Sequence, residues 1–583
     1  MLSESKVAAT LKLMTHAPDT RLTPDVAREL CQRTISKAYI AGEIATLGSE
    51  YVLGLKAVNC QSGDTLAQEQ VTAAAKEKAL DALSQAASKL RRELGESLST
   101  VQKFDVPLEQ ATTSSLEALK AYSLGTKAGR EKGPAAALLD HQRAIQLDPN
   151  FATGFQAVGN DYYSLGELGR ASEYHTKGFE LREHASERER LAITAAYYQD
   201  VTGEWERAEQ AYRKEVESYP REYRAHLHLA IAFIELGQWE KAKEAYREDL
   251  RLEPDNVGPY GGLASSLLAL QRFDEARQVL QQAQVRKLDD IEAHNVLYAL
   301  AFLGSDSAAM AEQQQWFADQ PELEHAALSF ASDSEAYKGH LNKARELTRR
   351  SRDSAVRTDS KENGAIRLEN AALREAAFGN AAEAKQAAAE GWKLYNASPG
   401  VEVEAALAYA MAGEMARAES VAQDLSQRYP LDTQMHSLWL PAIRAQLALN
   451  RKNPADAINA LLAAAPPIEL GNIQFLANLS CLYPTYIRGE AYLAARQGKD
   501  AAAEFQKILD HSGIVWNCWV GALARLGVAR ANVLQAKTSE GADADTARVR
   551  ALAAYEDFLT LWNDADPDIP VLKQAKAEYA KLR

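Results

Sequence analysis

Apolar positions along this chain recur in a fixed pattern of small and large residues. The run Gly237-Gln238-Trp239-Glu240-Lys241-Ala242 repeats its Gly-to-Ala spacing of five as Gly166…Ala171, Gly203…Ala208, Gly339…Ala344, Gly379…Ala384 and Gly413…Ala418. Ala137 and Ala171 are 34 residues apart, Ala208 follows after 37, Ala242 and Ala276 after 34 each, and Met310 holds the slot before Ala344. Each period predicts two amphipathic helices. The first carries a small residue at its eighth position (Gly125, Gly159, Ala196, Ala230, Ala264, Ala406), which the alanine at the twentieth is expected to face. Tyr162, Phe233 and Tyr409 at the eleventh position, with Tyr212 and Tyr246 at the twenty-fourth, fill the space between units. A bulkier residue at Gly159 is expected to overpack the crossing, at ~1–3 kcal/mol. Asp148-Pro149-Asn150, Tyr219-Pro220, Glu253-Pro254-Asp255-Asn256 and Tyr429-Pro430 close units, since Pro ends one helix and Asn or Asp caps the next.

The pattern places units at about 115–150, 151–186, 187–221, 222–256, 257–290, 291–324, 325–360, 361–398, 399–431 and 433–467, with looser ones at 482–513 and 520–562. An amphipathic segment over 568–583 reads as a capping helix. Residues 1–112 have a different texture. Thr23-Pro24 opens a helix to Arg33, three β-rich runs follow at Lys37–Ala45, Tyr51–Val58 and Thr65–Thr72, and a long helix is predicted from about Ala73 to Leu98. Pro107 and a Ser/Thr cluster mark 103–114 as a linker, with Ser114 or Ser115 capping the first array helix.

Leu229, Ala230, Phe233, Gly237, Ala242, Tyr246 and Pro254 match the small–large pattern of the tetratricopeptide family, which the region 115–562 resembles. The resemblance implies a mainly α fold, a right-handed solenoid of about twelve helix pairs behind a small α+β domain. It also implies a non-catalytic scaffold or adaptor that holds a polypeptide in its concave groove. A narrower resemblance rests on Cys31-Gln-Arg-Thr, on Gly42 through Cys60, on Gly63-Asp-Thr-Leu-Ala, on Phe505 through His511 and on Trp562 through Ile569. It is to the non-kinase half of bacterial eukaryotic-like serine/threonine kinases, in which a domain similar to the N-terminal domain of TolB precedes a tetratricopeptide array. There the small domain starts with another strand and helix, after a kinase domain and a membrane span. The resemblance therefore implies that Met1 falls inside the small domain, and it offers the regulatory or sensor portion of such a kinase as the alternative function.

With 66 Lys plus Arg against 80 Asp plus Glu, a formal charge of −14, the chain offers no general surface for nucleic acid. No apolar stretch reaches the ~18–20 residues of a membrane span. Lys6 and Lys12 interrupt the first apolar residues, so the N-terminus reads as an amphipathic helix and a cytoplasmic location is expected, or one beyond a membrane if the kinase relatives are the guide. The four cysteines, at 31, 60, 481 and 518, form no CxxC pair and are expected as free thiols. Cys31 and Cys60 are the pair that the layout can bring together, if the helix carrying one packs beside the hairpin turn carrying the other.

No catalytic motif emerges. The chain has no GxxxxGK[ST] loop, no kinase HRD or DFG, no GxSxG and no HExxH, and no cofactor or metal is expected. His226 and His228 lie two apart on a predicted helix and diverge too far to chelate one ion. Arg349-Arg350-Ser351-Arg352 reads as a solvated helix face. The candidate peptide-binding residues are those the first helices project toward the groove: Gln156, Asn160, Tyr163, Arg190, Tyr197, Arg224, Ser265 and Asn295. Tyr122 and Ile193 occupy slots where a carboxylate clamp would need lysine, which disfavours a C-terminal carboxylate as the ligand.

Overall fold

The computed structural model describes residues 4–17, 20–96, 113–462, 468–473 and 478–583. Its first part holds helices α1 (Glu4–Leu13) and α2 (Pro24–Arg33), then a meander of β1 (Ala38–Leu47), β2 (Glu50–Asn59) and β3 (Thr65–Ala73) in the antiparallel order β1-β2-β3. Thr23 caps α2 through Val26 N at 3.5 Å, with Pro24 in the first turn. Helix α3 (Ala79–Glu93) covers β2 and β3, setting Ala82 against Leu53 and Leu90 against Ala57 and Ala67. It begins later than the sequence pattern predicts, because Ala73 is still paired with Tyr51 at the end of the sheet. Most of the predicted linker, 103–112, lies outside the described residues.

Helix α2 is fastened to the β2–β3 turn. Arg28 Nη2 donates to Gln61 O at 2.6 Å, Gln32 Nε2 donates to Cys60 O at 2.8 Å, and Cys31 is disulfide-bonded to Cys60 with Cα atoms 5.7 Å apart. A second bridge joins Cys481 to Cys518, also 5.7 Å apart at Cα. No cysteine is free, which corrects the expectation of free thiols. Only the first pair was within reach of the sequence argument, since 481 and 518 flank irregular segments that the repeat pattern does not place.

Twelve antiparallel helix pairs follow. They are α4 (Leu116–Lys132) with α5 (Pro134–Leu147), α6 (Ala152–Ser164) with α7 (Leu168–Glu180), α8 (Glu187–Tyr197) with α9 (Trp205–Ser218), and α10 (Tyr223–Glu235) with α11 (Trp239–Leu252). Next come α12 (Gly258–Ala269) with α13 (Phe273–Val285), α14 (Ile291–Leu303) with α15 (Ser307–Ala318), α16 (Glu324–Tyr337) with α17 (Leu341–Arg357), and α18 (Lys361–Phe378) with α19 (Ala381–Leu394). The last are α20 (Pro399–Met411) with α21 (Met415–Arg428), α22 (Leu440–Asn450) with α23 (Pro454–Leu462), α24 (Tyr483–Ala494) with α25 (Gly498–Asp510), and α26 (Trp519–Thr538) with α27 (Gly541–Leu561). Helix α28 (Pro570–Leu582) caps the stack, burying Val571, Leu572 and Ala575.

Packing follows the small–large logic with one change of partner. A Cβ added at Gly159 would lie 2.2 Å from the His175 ring, and one at Gly125 would lie 2.4 Å from His141, so the residue over the eighth position is the twenty-fourth. Ala137, at the twentieth, instead faces Gly129 four residues on. Left-handed residues join the two helices of a unit: Gly166, Gly203, Gly237, Gly339, Gly379 and Gly413 fill this slot, and Gln271, Ser305, Lys452 and Arg496 fill it with φ of 56–60°.

The solenoid winds back onto itself. Gly169 N donates to Glu362 at 3.0 Å, Thr433 N to Gly203 O at 2.8 Å, Trp239 Nε1 to Leu470 O at 2.8 Å, and Trp562 Nε1 to Tyr337 O at 2.9 Å. Turns within the early pairs thus rest on helix starts and irregular segments roughly two hundred residues further on. One apolar core runs unbroken from Ala195 in α8 to Ala575 in the cap, whereas the first two pairs keep small clusters of their own.

Candidate functional site

The first helices of the opening four pairs, α4, α6, α8 and α10, line a groove of about 450 Å³. Its walls include Tyr122 and Thr126 from α4, Gln156, Asn160 and Asp161 from α6, Arg188 and Glu189 from α8, and Tyr223, Arg224 and His228 from α10. Their position follows from local folding. Small residues at Gly125 and Gly159 let the second helices come close, and Gly125, Gly129 and His141 form part of the wall at that crossing.

Two histidines that the sequence reading passed over organise this wall. His141 Nδ1 lies 2.6 Å from Asp161 Oδ2 and His175 Nδ1 lies 2.8 Å from Asp200 Oδ2, both pairs buried between successive units. Burial pushes the Asp161 carboxyl up, and the hydrogen bond with His141 opposes it. Their signal was in the sequence, because His141 and His175 are 34 apart in the core slot that Tyr212 and Tyr246 fill later.

Thr126 Oγ1 stands 3.4 Å from His141 Nε2, so Thr126, His141 and Asp161 have the outline of a nucleophile–base–acid set. The hydroxyl, however, donates to Tyr122 O at 3.0 Å, inside its own helix. The same junction recurs one unit later with Asn160 Oδ1 at 3.1 Å from His175 Nε2 and no hydroxyl. What the two junctions share is the His–Asp pair, buried between successive units. Among the described residues no group of His, Cys, Asp or Glu is placed to hold a metal ion.

The eight sequence-derived candidates separate into two sets. Gln156, Asn160 and Arg224 share the groove. Gln156 is 8% exposed and makes no hydrogen bond within the described structure, and Arg224 is exposed and donates through Nε to Tyr223 Oη at 3.1 Å. The others lie elsewhere. Arg190 is exposed, 3.5 Å from Glu183, while Arg188 and Glu189 take the wall position. Tyr197 stacks on Phe179 at 3.9 Å, with Arg182 over the same Phe179 ring. Tyr163 is half-buried, and burial near Glu235 and Asp200 drives its hydroxyl pKa well up. Ser265 is 1% exposed and Asn295 half-buried, both beside the Glu292 carboxylate in the closed part of the superhelix. A signal was available there, since α12 holds no charged residue and a helix apolar on all sides is a buried one.

Two tetratricopeptide repeat models match, over residues 223–256 and 242–300. No curated protein matches the sequence. Among solved structures, MamA from Desulfovibrio magneticus RS-1 is similar at 18% identity over 30% of this chain and 96% of its own, with a TM-score of 0.21. PilF of Pseudomonas aeruginosa aligns at 17% identity over 35% and 91%, with a TM-score of 0.24. The type IV pilus biogenesis factor PilW aligns at 15% over 35% and 94%, with a TM-score of 0.27. The matched family models and the twelve stacked helix pairs together show a mainly α solenoid carrying tetratricopeptide repeats.

Proposed function

We propose that this protein is a non-catalytic scaffold that holds an extended polypeptide in the groove of its first four helix pairs. The observation that carries the reading is Gln156, a side chain 8% exposed that lines the groove and makes no bond to the described protein. Its amide faces the groove with neither its donors nor its acceptor engaged by the protein, and a peptide backbone supplies both an acceptor and a donor to match it. The preformed wall lowers the ordering cost of binding. Selection of random dodecapeptides displayed on phage against the full chain tests this. Ala157→Trp, which fills the groove floor, should abolish binding of the selected peptides, and Gln427→Trp on α21, outside the groove, should leave it unchanged. Equal binding to the Ala157→Trp protein sinks the reading.

The two disulfides support an extracytoplasmic, oxidising location in place of the cytoplasm, because such bridges are reduced in most cytosols. Alkylation of the unreduced native protein should label no cysteine. The small α+β domain ahead of the array is what supports the second reading, the regulatory portion of a serine/threonine kinase. An upstream reading frame in phase that encodes a Gly-rich loop, HRD and DFG would decide for it, and an in-frame stop would decide against it.

A further inference from the structure

Most of the groove's own charged groups are held by the protein, and Arg224 is the cation that is not. Glu222 is paired with Arg188 at 3.0 Å and Asp161 with His141 at 2.6 Å. Glu189 accepts from the Ser186 hydroxyl at 2.8 Å, from Ser186 N at 3.0 Å and from Thr153 at 3.0 Å. Glu215 is 4% exposed, and burial pushes its carboxyl up to about 7, so it is only about half ionised at neutral pH. Arg224 has no carboxylate partner among the described residues. Its one hydrogen bond runs from Nε to the adjacent Tyr223 hydroxyl, which leaves the terminal nitrogens uncommitted.

The one carboxylate that acts on it, Glu222, is already paired with Arg188, and its other neighbours are neutral. Tyr122 and Tyr223 stand beside it, and His228 is held uncharged because burial, then Arg224 and His175, push its pKa down to about 4. Asn160 meets His175 Nε2 at 3.1 Å with one end of its amide, which leaves the other end for a ligand, and Gln156 is wholly uncommitted. Around Arg224 the groove therefore offers free amides beside a guanidinium that no carboxylate bonds, which calls for a ligand negative at one point.

We propose that the groove recognises its polypeptide through an internal acidic side chain, whose carboxylate docks on Arg224 beside the amides of Asn160 and Gln156. The assignment rests on the peptide-groove reading above and deepens it. A guanidinium makes charge-assisted, often bidentate, bonds to a carboxylate, and it does so at less desolvation cost when no partner has to be displaced. One unpaired arginine suits one carboxylate, whereas a nucleic acid strand would need a row of them.

The dodecapeptides selected on the full chain should be enriched in Asp and Glu relative to the starting library. The strongest binder, synthesised with an amidated C-terminus, should lose about tenfold in affinity when its key acid becomes the corresponding amide. The same change should cost under about twofold on the Arg224→Gln protein, and Arg224→Lys should retain part of the preference. Arg224 is exposed, so Arg224→Gln should keep the helical circular dichroism of the parent, and the peptide-side change on the parent protein reads the proposal independently of any variant. Peptides that Ala157→Trp blocks but that show no acidic preference overturn this proposal and leave the groove reading standing, as does a preference that survives Arg224→Gln. Peptides that need a free C-terminal carboxylate also overturn it, as does tighter binding of a twelve-nucleotide single strand that Arg224→Gln abolishes. A selection that yields no binder overturns both.

Discussion

On α6 and α10 the inner-face residues Asn160 and Arg224 stay in contact with solvent, whereas on α12 and α20 nearly every residue is buried whichever way it points. The helices are built from the same small–large slots. What differs is what lies across from them. In the later pairs the interior is closed by aromatic side chains, Trp439 to Tyr483 at 5.9 Å and Tyr483 to Trp519 at 5.7 Å, and by paired charges such as Arg374 with Asp333 at 3.3 Å. A concave face is therefore a binding surface only where the winding chain leaves it uncovered, and repeat identity alone does not say where that is.

The strongest way to break this contrast is to remove a side chain that closes the later turn. Trp562 is 1% exposed, packs on Phe378 at 5.1 Å and Phe558 at 4.8 Å, and donates to Tyr337 O across the seam. Trp562→Ala should cost ~3–5 kcal/mol in denaturant unfolding. It should also raise amide exchange at Tyr337–Gly339, more than two hundred residues away in sequence, while the peptide affinity of the amino-terminal groove stays within about twofold. Loss of groove binding together with the seam would show that the two regions are one cooperative body.

Next in size is the Cys481–Cys518 bridge, which ties the segment before α24 to the one before α26. Replacing both with Ser should lower stability by ~2–4 kcal/mol, and reduction should destabilise the parent by that much more than the variant, in which only the Cys31–Cys60 bridge is left to reduce. A reductant-insensitive parent would deny the bridge. Cys481 and Cys518 are also where the sequence stopped being readable. Slots from Ala137 to Ala418 were legible because each unit repeats the same local contact, and Ser115, Thr23 and the turn glycines behave as their chemistry dictates. The seam was not, because Asn472 to Ile234 O and Ser512 to Gln271 join residues of no shared periodicity. Ser265 and Asn295 were misplaced for that reason. Their slots match those of Gln156 and Asn160, yet the chain that covers them comes from far along the sequence.

A smaller effect separates the two regions by pH. Asp249, behind the groove wall on α11, is fully buried with no hydrogen-bond partner at either oxygen, and burial followed by Glu253 and Glu222 pushes it up to about 8. At half-buried Asp333 burial also pushes the carboxyl up, but Arg374 and Arg367 oppose it. A carboxyl whose folded pKa is raised binds its proton more tightly in the fold than in the unfolded chain. Its stabilisation is complete below the usual carboxylate range and is lost as pH rises through 8. Between pH 5 and pH 9 the parent should therefore lose stability, and Asp249→Asn, uncharged throughout, should lose ~1–2 kcal/mol less. Parallel pH profiles of melting temperature for the two proteins would show that Asp249 does not titrate in this window.

The smallest prediction turns on a single slot with two fates. Ser305 and Gln271 both occupy the left-handed position that Gly237 and Gly339 fill, at φ of 56° and 60°. Such a conformation costs a side-chain-bearing residue ~1–2 kcal/mol, which glycine avoids at the price of ~0.5–1 kcal/mol of unfolded-state entropy. Ser305 is exposed and caps no seam, so Ser305→Gly should stabilise by a few tenths to about 1 kcal/mol. Gln271 belongs to the closed region, where its Oε1 accepts from Ser512 Oγ at 3.0 Å and Gly513 N at 3.1 Å. Gln271→Gly relieves the same strain but leaves a buried N–H without an acceptor, which costs ~1–3 kcal/mol, so its net effect should be destabilising. Opposite signs at one repeat slot, measured by the same denaturant titration, would locate the boundary between open edge and seam energetically; equal signs would mean that the contacts across the turn carry no stability.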